Sequence, residues 1–333
     1  MRTVIIGDIH GCFDELGELV AKVGLGAGDL LVGVGDLVDR GPKPLEVVDF
    51  FRGRPNSVAL MGNHERKHVR GIFSYAQEIT RLQAGAGYDE MVAWMTGLPY
   101  FFENEHVRVV HAAMVPGIPL GEQREEILCG STRGEHELRD LFPEGYWHEH
   151  YTDSKPVVFG HHVTGDAPLA RDGRVVGLDT GACHGGYLTA LSLPDFTFHA
   201  VRARTDHWSR VKEHWQLPVL RTKPWTDYSW QELDEAITRF ARTSDPAARA
   251  WLTSIEHWAA DLRSRMPALV ESAYATAAEL DPAHMRHHPA AMFLFQTRGG
   301  KLDLASLGRQ CTTPRRTIAL AAALRVDIPG MPH

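Results

Sequence analysis

Three short clusters near the start of the chain place carboxylate, imidazole and amide side chains between glycines. They are Gly7-Asp8-Ile9-His10-Gly11, Gly35-Asp36-Leu37-Val38-Asp39-Arg40-Gly41 and Gly62-Asn63-His64-Glu65. In an extended segment, residues two apart point the same way, so Asp8 and His10 can hold one ion through an oxygen and a nitrogen donor. Alone, that pair reads as a turn with a solvated histidine. Asp36 adds a carboxylate whose two oxygens can bridge two cations. Asn63 adds an amide oxygen, an uncommon metal ligand. Asp39-Arg40, taken alone, reads as a loop ion pair. His111 and His161 close the runs Val107–Val110 and Val157–Phe159. A single histidine at such a place is ordinarily structural. Five successive strand ends that each carry a ligand-competent residue are harder to explain so, because gathering polar groups at a core edge is unfavourable unless something compensates. A dinuclear metal centre compensates. The donors are oxygen and nitrogen with no sulfur, which suits manganese, iron, zinc, nickel or cobalt and excludes a copper thiolate site.

Two cations about 3.5–4 Å apart neutralise a phosphate and lower the pKa of a shared water from 15.7 towards about 7, which is the chemistry of phosphate ester hydrolysis. No serine or cysteine nucleophile motif stands out. No GxxxxGK[ST] loop is present, which disfavours a nucleotide kinase.

The elements needed to position these groups are legible around them. Residues 2–7, Leu30–Val34 and Val58–Met61 are short apolar runs, each followed directly by one of the polar clusters. Phe13–Val23 carries apolar residues at 13, 16, 19, 20 and 23, one helix face, and Pro44–Phe51 reads as a helix with proline near its start. This rhythm predicts a buried sheet with helices outside and chemistry at the carboxyl ends of the strands. Further on, Gly85–Leu98 reads as a helix, and Tyr100–Phe102 with Val107–Ala112 as a hairpin. Val157–Phe159, Val175–Leu178, Tyr187–Leu193 and Phe196–Ala200 read as strands.

The series GDIHG, GDLVDRG, GNHE, VVHAA and FGHH resembles the calcineurin-like metallophosphoesterases, and within them the phosphoprotein phosphatase branch. Cys129–Glu135 and Leu178–Leu191 are similar to the bacterial group that holds symmetrical diadenosine tetraphosphate hydrolases and the phosphatase module of polynucleotide kinase–phosphatases. The resemblance spans residues 1–204 and implies an α/β fold: a four-layer α/β/β/α sandwich of two mixed sheets, followed by a helical C-terminal extension. It implies that Asp8, His10 and Asp36 bind one metal, and that Asp36, Asn63, His111 and His161 bind a second, with Asp36 bridging. His64 would protonate the leaving oxygen, Asp39 would orient His64, and Arg40 and Arg133 would hold the phosphate. Mn²⁺ is the metal it suggests. The implied reaction is in-line attack of a metal-bridging hydroxide on a phosphate monoester or phosphoanhydride, such as a dinucleoside polyphosphate. A Ser/Thr protein phosphatase is the alternative, and a weakly catalytic scaffold acting through its tail is a second. Two departures stand out. Ala113 replaces a usual glycine, and His162, where threonine is common, adds a titrating group beside His161 and competes with it for the ligand role.

After about residue 204 the strand patterns stop and helical periodicity dominates, so residues 1–204 are expected as the catalytic domain and 205–333 as a helical extension. Ser229–Arg239 opens with a Ser-Trp-Gln-Glu capping box, and Asp245-Pro246 starts another helix. The tryptophans of this stretch could stack bases, though at helical spacing they are expected in a core. His68, Arg70, the region of Arg81 and His184 could contact substrate, though each is expected as ordinary surface. Of 333 residues, 44% are hydrophobic and 23% charged, with net charge -7. That balance fits a globular chain and offers no general electrostatic attraction to nucleic acid or anionic membrane. Cys12, Cys129, Cys183 and Cys311 form no C-x-x-C pair. The apolar run before Asp8 is too short for a signal-peptide core, so a reducing, cytoplasmic setting is the expectation.

Overall fold

The computed structural model describes residues 2–332. It divides into two compact units, one through Trp215 and one from Gln216 onward.

The first unit contains strands β1 (Thr3–Ile6), β2 (Leu30–Gly33), β3 (Ser57–Ala59), β4 (Phe101–Glu103), β5 (Arg108–Val110), β6 (Val157–Phe159), β7 (Leu169–Arg171), β8 (Val175–Gly177), β9 (Asp179–Thr180), β10 (Tyr187–Leu193) and β11 (Thr197–Arg202). One mixed sheet has the order β11-β10-β1-β2-β3, with β9 on β10. The other has the order β4-β5-β6-β8-β7. Within each, the strands that lead to polar clusters are parallel: β1 to β2 to β3, and β5 to β6 to β8. Parallel neighbours end on the same side, so their following loops collect at one edge of each sheet.

The period-2 alternation of strand side chains builds the layers. Ile5, Val32, Val109, Val158, Val176 and Leu191 form the core between the two sheets. Their neighbours Val4, Ile6, Leu31 and Ala190 face the opposite way, into a second core with helices α1 (Phe13–Val23) and α2 (Pro44–Gly53). Val110, Val157, Phe159 and Val175 face a third core, containing Leu128, Leu138 and Trp147. The result is the α/β/β/α sandwich. The remaining helices of this unit are α3 (Asn63–Val69), α4 (Tyr75–Ala84), α5 (Tyr88–Met95), α6 (Glu125–Leu128), α7 (Thr132–Leu141) and the start of α8 (His207–Arg221). The stretch predicted as one helix over 85–98 is a 3₁₀ turn at Gly85–Gly87 followed by α5, because its two glycines do not sustain an α-helix.

The second unit is helical: α9 (Trp230–Phe240), α10 (Pro246–Ser264), α11 (Met266–Glu279), α12 (Pro282–His287), α13 (Ala291–Arg298), α14 (Leu304–Gln310) and α15 (Pro314–Leu324). The Ser229/Glu232 capping box forms, with Ser229 Oγ accepting the Glu232 N–H at 3.2 Å and Glu232 accepting the Ser229 N–H at 2.7 Å. Trp225, Trp251 and Trp258 are buried in the unit's core with Leu233, Leu252 and Ile255, which is what their helical spacing predicts. No helix among the described residues is long and apolar enough to cross a membrane.

Candidate metal centre

Each short strand stops at a sharp turn, and the turn is where the polar side chain sits. His10, Asp36, Asp39, Arg40 and His161 all have left-handed backbone, with φ of 47°, 49°, 69°, 65° and 68°. Side chains other than glycine adopt this conformation at a cost of about 1–3 kcal/mol each, so five at one site mark a place where geometry outranks backbone preference. Glu65, at the third position of α3, holds the second turn. Its carboxylate accepts the backbone N–H groups of Asp36, Leu37 and Val38 at 2.9, 2.8 and 3.2 Å, and that of Gly62 at 3.0 Å.

These turns bring Asp8, His10, Asp36, Asn63, His111 and His161 to one place. Asp36 stands at the centre. Its Oδ2 is 3.5 Å from His10 Nε2, and its Oδ1 is 3.3 Å from His111 Nε2. Donor atoms of His10, Asp36 and His64 lie within 4.8 Å of one another, and so do those of Asp36, His111 and His161. Asp36 belongs to both groups, as a bridging carboxylate must. Asn63 Oδ1 lies 3.2 Å from His111 Nε2 and 3.1 Å from His161 Nδ1. Asp8 joins the first strand end to the fourth cluster by accepting the His161 N–H at 3.0 Å.

The ring nitrogens are already assigned by their outer contacts. His10 Nδ1 is 2.9 Å from Val38 O and His111 Nδ1 is 3.1 Å from Val34 O, so each donates there and keeps Nε2 as an acceptor. His161 uses the opposite edge: Nδ1 faces Asn63 while Nε2 is 3.4 Å from Glu135. His162 Nε2 is 3.8 Å from the same Glu135 oxygen, so of the two adjacent histidines it is His161 that reaches the donor cluster. Burial is the main cause holding His10 well below the usual imidazole range, followed by the Arg40 charge; burial likewise lowers His111 to about 4. Both rings are therefore neutral at pH 7, the form that binds metal.

The donor set fits a pair of small divalent cations. Donors at right angles around an ion about 2.1 Å away stand about 3.0 Å apart, close to the 3.1–3.3 Å seen here. The Asn63 side-chain amide faces two imidazole nitrogens and both Asp36 oxygens, 3.3 and 3.2 Å away. With its NH₂ inward the amide would donate to these acceptors; with its oxygen inward it would offer a cation one more donor. Burial, then the charges of Asp179 and Asp36, push Asp8 well above the ordinary carboxylate range. Such a crowd of buried carboxylates is relieved by positive charge. Arg40 supplies some, with Nη1 at 3.0 Å from His10 Nε2.

Beside the donors, His64 Nδ1 is 2.6 Å from Asp39 Oδ2, and His64 Nε2 faces Asp36 Oδ2 at 3.9 Å. Asp39 is fully buried. Burial pushes its carboxyl up, but hydrogen bonds from His64 and His68 outweigh that and hold it well below the usual range. Arg133 is exposed, at the second residue of α7, and lines one cavity with Asn63.

Sequence reasoning missed Glu65, His68, Gln77, Tyr88, Glu135 and Asp179. His68, expected at the surface, is 2% exposed, and its Nε2 lies 2.9 Å from Asp39 Oδ1. It is one turn beyond His64 on α3. Apart from its last residue, Val69, that helix is polar, so no apolar period announced it. Glu65 did have a signal: a glutamate three residues after the helix-capping Gly62.

Residues 1–126 match the profile of the calcineurin-like phosphoesterases. The chain is 30% identical over 239 residues to the asymmetrical bis(5'-nucleosyl)-tetraphosphatase PrpE of Halalkalibacterium halodurans, a match covering 61% of this chain and 95% of that one. It is 28% identical to the symmetrical bis(5'-nucleosyl)-tetraphosphatase of Serratia proteamaculans, covering 59% and 92%. A crystal structure of a protein provisionally assigned as a diadenosine tetraphosphatase superposes with a TM-score of 0.51 at 25% identity, covering 61% of this chain and 93% of that one. Two mixed sheets, a shared carboxylate between two donor groups and these relatives agree: the chain belongs to the calcineurin-like phosphoesterase family and is a metal-dependent hydrolase.

Proposed function

We propose that the first unit is a two-metal phosphoesterase that cleaves a phosphate ester or anhydride within a nucleotide, with a dinucleoside polyphosphate as the class of substrate. The observation that carries this reading is the shared position of Asp36, with one oxygen toward each donor group. Asp8, His10 and Asp36 would hold the first cation and Asp36, Asn63, His111 and His161 the second, with Mn²⁺ the proposed metal. Once bound, the cations would neutralise phosphate charge and make hydroxide available at neutral pH. Arg40 orients the scissile phosphate from the His10 side. His64 Nε2 delivers a proton to the leaving oxygen, while Asp39 holds His64 Nδ1–H and so keeps Nε2 turned to the reaction.

One surface feature supports a substrate with several phosphates. A cavity of about 300 Å³ opens from Asn63 and is lined by Arg66, Lys67, Arg70, Arg133 and Glu126. Arg66 pairs with Glu126 at 2.8 Å and Arg70 reaches the same oxygen at 4.0 Å, so this one carboxylate is outnumbered by the cations of the lining, Lys67 and Arg133 among them. A phosphate chain running out of the metal site would meet them. The test is hydrolysis of diadenosine tetraphosphate, a phosphoserine peptide and a cyclic nucleotide with Mn²⁺ present. The expected order places the tetraphosphate first. Faster turnover of the peptide would replace the substrate class, and absence of Mn²⁺-dependent hydrolysis of all three and of para-nitrophenyl phosphate would end the reading.

A further inference from the structure

Asp39 receives more than the one histidine its role requires. On Oδ2 it accepts His64 Nδ1–H at 2.6 Å and also the side-chain NH₂ of Gln77. On Oδ1 it accepts from His68 Nε2 at 2.9 Å, and His68 Nδ1 in turn lies 2.9 Å from the Tyr88 hydroxyl. The proton positions follow from chemistry. Asp39 is a carboxylate and only accepts, so His68 must carry its hydrogen on Nε2. In the neutral ring His68 Nδ1 is then a lone pair, which the Tyr88 O–H satisfies by donating. Burial, then the nearby Asp39 charge, raises Tyr88 to about 12, so the hydroxyl keeps the proton it donates. The order Tyr88, His68, Asp39, His64 is thus a single chain in which each group fixes the next, ending at the His64 nitrogen that faces the donor cluster.

We propose that His68, with its tautomer set by Tyr88, is a positioning residue that fixes the Asp39 carboxylate and through it the acid end of His64. The proposal rests on the reading of His64 as general acid. Three features favour it over simple packing. His68 and Asp39 are 2% and 0% exposed, so water does not substitute for the bond. His64 and His68 are four residues apart on α3, and each contacts a different oxygen of one carboxylate, His64 through Nδ1 and His68 through Nε2. Without His68, Asp39 Oδ1 would have no ordering donor, and the carboxylate could rotate about its Cβ–Cγ bond and carry His64 with it.

The experiment compares two substrates of nearly the same shape, phenyl phosphate and para-nitrophenyl phosphate, on the full chain with Mn²⁺. Only the first has a leaving oxygen basic enough to need a delivered proton. His68→Leu is expected to lower kcat for phenyl phosphate by about tenfold or more, and for para-nitrophenyl phosphate by less than about threefold. KM should stay within about twofold and bound Mn²⁺ should be unchanged. His68→Gln, whose amide NH₂ reaches Asp39, should recover phenyl phosphate turnover to within about threefold. Tyr88→Phe should show a weaker loss of the same selective kind, and it carries the test if His68→Leu does not fold. Equal losses on both substrates with Mn²⁺ retained, or no loss on phenyl phosphate, overturn the proposal. His64→Ala is the reference. If it shows no preference between the substrates, the acid reading falls and takes this proposal with it. If it does and His68→Leu does not, only the positioning role falls.

Discussion

Gly160 precedes His161, and replacing it with alanine is a direct probe of whether Asp8 is held where a cation needs it. A methyl built on Gly160 would overlap Asp8 Oδ1 outright, and would stand 2.7 Å from Val34 Cγ2 and 3.1 Å from Asp8 Cγ. The backbone of Gly160 lies outside the left-handed region, so alanine adds steric conflict without conformational strain. Ordinary carbon contacts begin near 3.5 Å, so the Asp8 carboxylate must retreat by on the order of 1 Å. Overpacking of this kind destabilises by about 1–3 kcal/mol, offset by roughly 0.4–1 kcal/mol from the stiffer unfolded chain. For a domain of this size the net change lowers the melting temperature by a few degrees, on the order of 2–6 °C. The effect on the site is larger. Ligand distances tolerate shifts of about 0.2 Å, and a displacement near 1 Å can remove about 100-fold in rate. The assay is metal content by mass spectrometry alongside Mn²⁺-dependent turnover of para-nitrophenyl phosphate. The expected result is less than two ions per chain and a rate reduced by about 100-fold. A variant with both ions and a parental rate would refute the placement of Asp8 in the first ion's shell.

Other perturbations follow from the same geometry. Asp36→Asn should abolish binding of the ion pair and turnover together, because one oxygen serves each donor group; metal content and activity measured on one sample check this. Lys67→Ala and Arg70→Ala should lower kcat/KM for diadenosine tetraphosphate more than for para-nitrophenyl phosphate, by about tenfold for the loss of one charged contact. Gly17 is exposed in the middle of α1 with open space around it, so Gly17→Ala should stabilise by about 0.8–1.0 kcal/mol at unchanged activity, read from thermal unfolding. Glu15 is buried, which alone would raise its carboxyl. Its hydrogen bonds with His207 and the Arg204 N–H instead bring it down to about 2. A carboxyl lowered by folding stabilises above its unfolded pKa, and that contribution is lost as pH falls from about 4.5 towards 2. Urea unfolding between pH 5 and 3 should therefore show a steeper decline for the parent than for Glu15→Gln.

The turns that carry the candidate ligands were legible because each follows a short apolar run and, except at His111, has a glycine beside its polar residues; those runs became β1, β2, β3, β5 and β6 within a residue or two. Phe13–Val23 was legible to the residue, since its apolar face is continuous and Gly24 ends it in a left-handed cap. What the pattern concealed was the support of the site. Glu65 and His68 lie on a seven-residue helix with no apolar face, and Gln77 on the next helix reaches Asp39 from 38 positions away. Their partners are set by how α3, α4 and α5 pack, which single-chain periodicity does not encode. Strands β7 and β9 were invisible because neither carries an apolar run: Leu169–Arg171 is mostly exposed and Asp179–Thr180 is polar.

The five left-handed residues at the turns have a bearing on any attempt to make this chain more robust. Glycine would relax the backbone at His10, Asp36, Asp39, Arg40 and His161, and each such relaxation would delete a group to which the proposed reaction assigns a role. A library screened for heat tolerance alone would drift toward exchanges of that kind and return durable, inert sandwiches. Screening must keep hydrolysis as a condition of survival, or confine its changes to positions such as Gly17 that lie outside the turns and have open space around them.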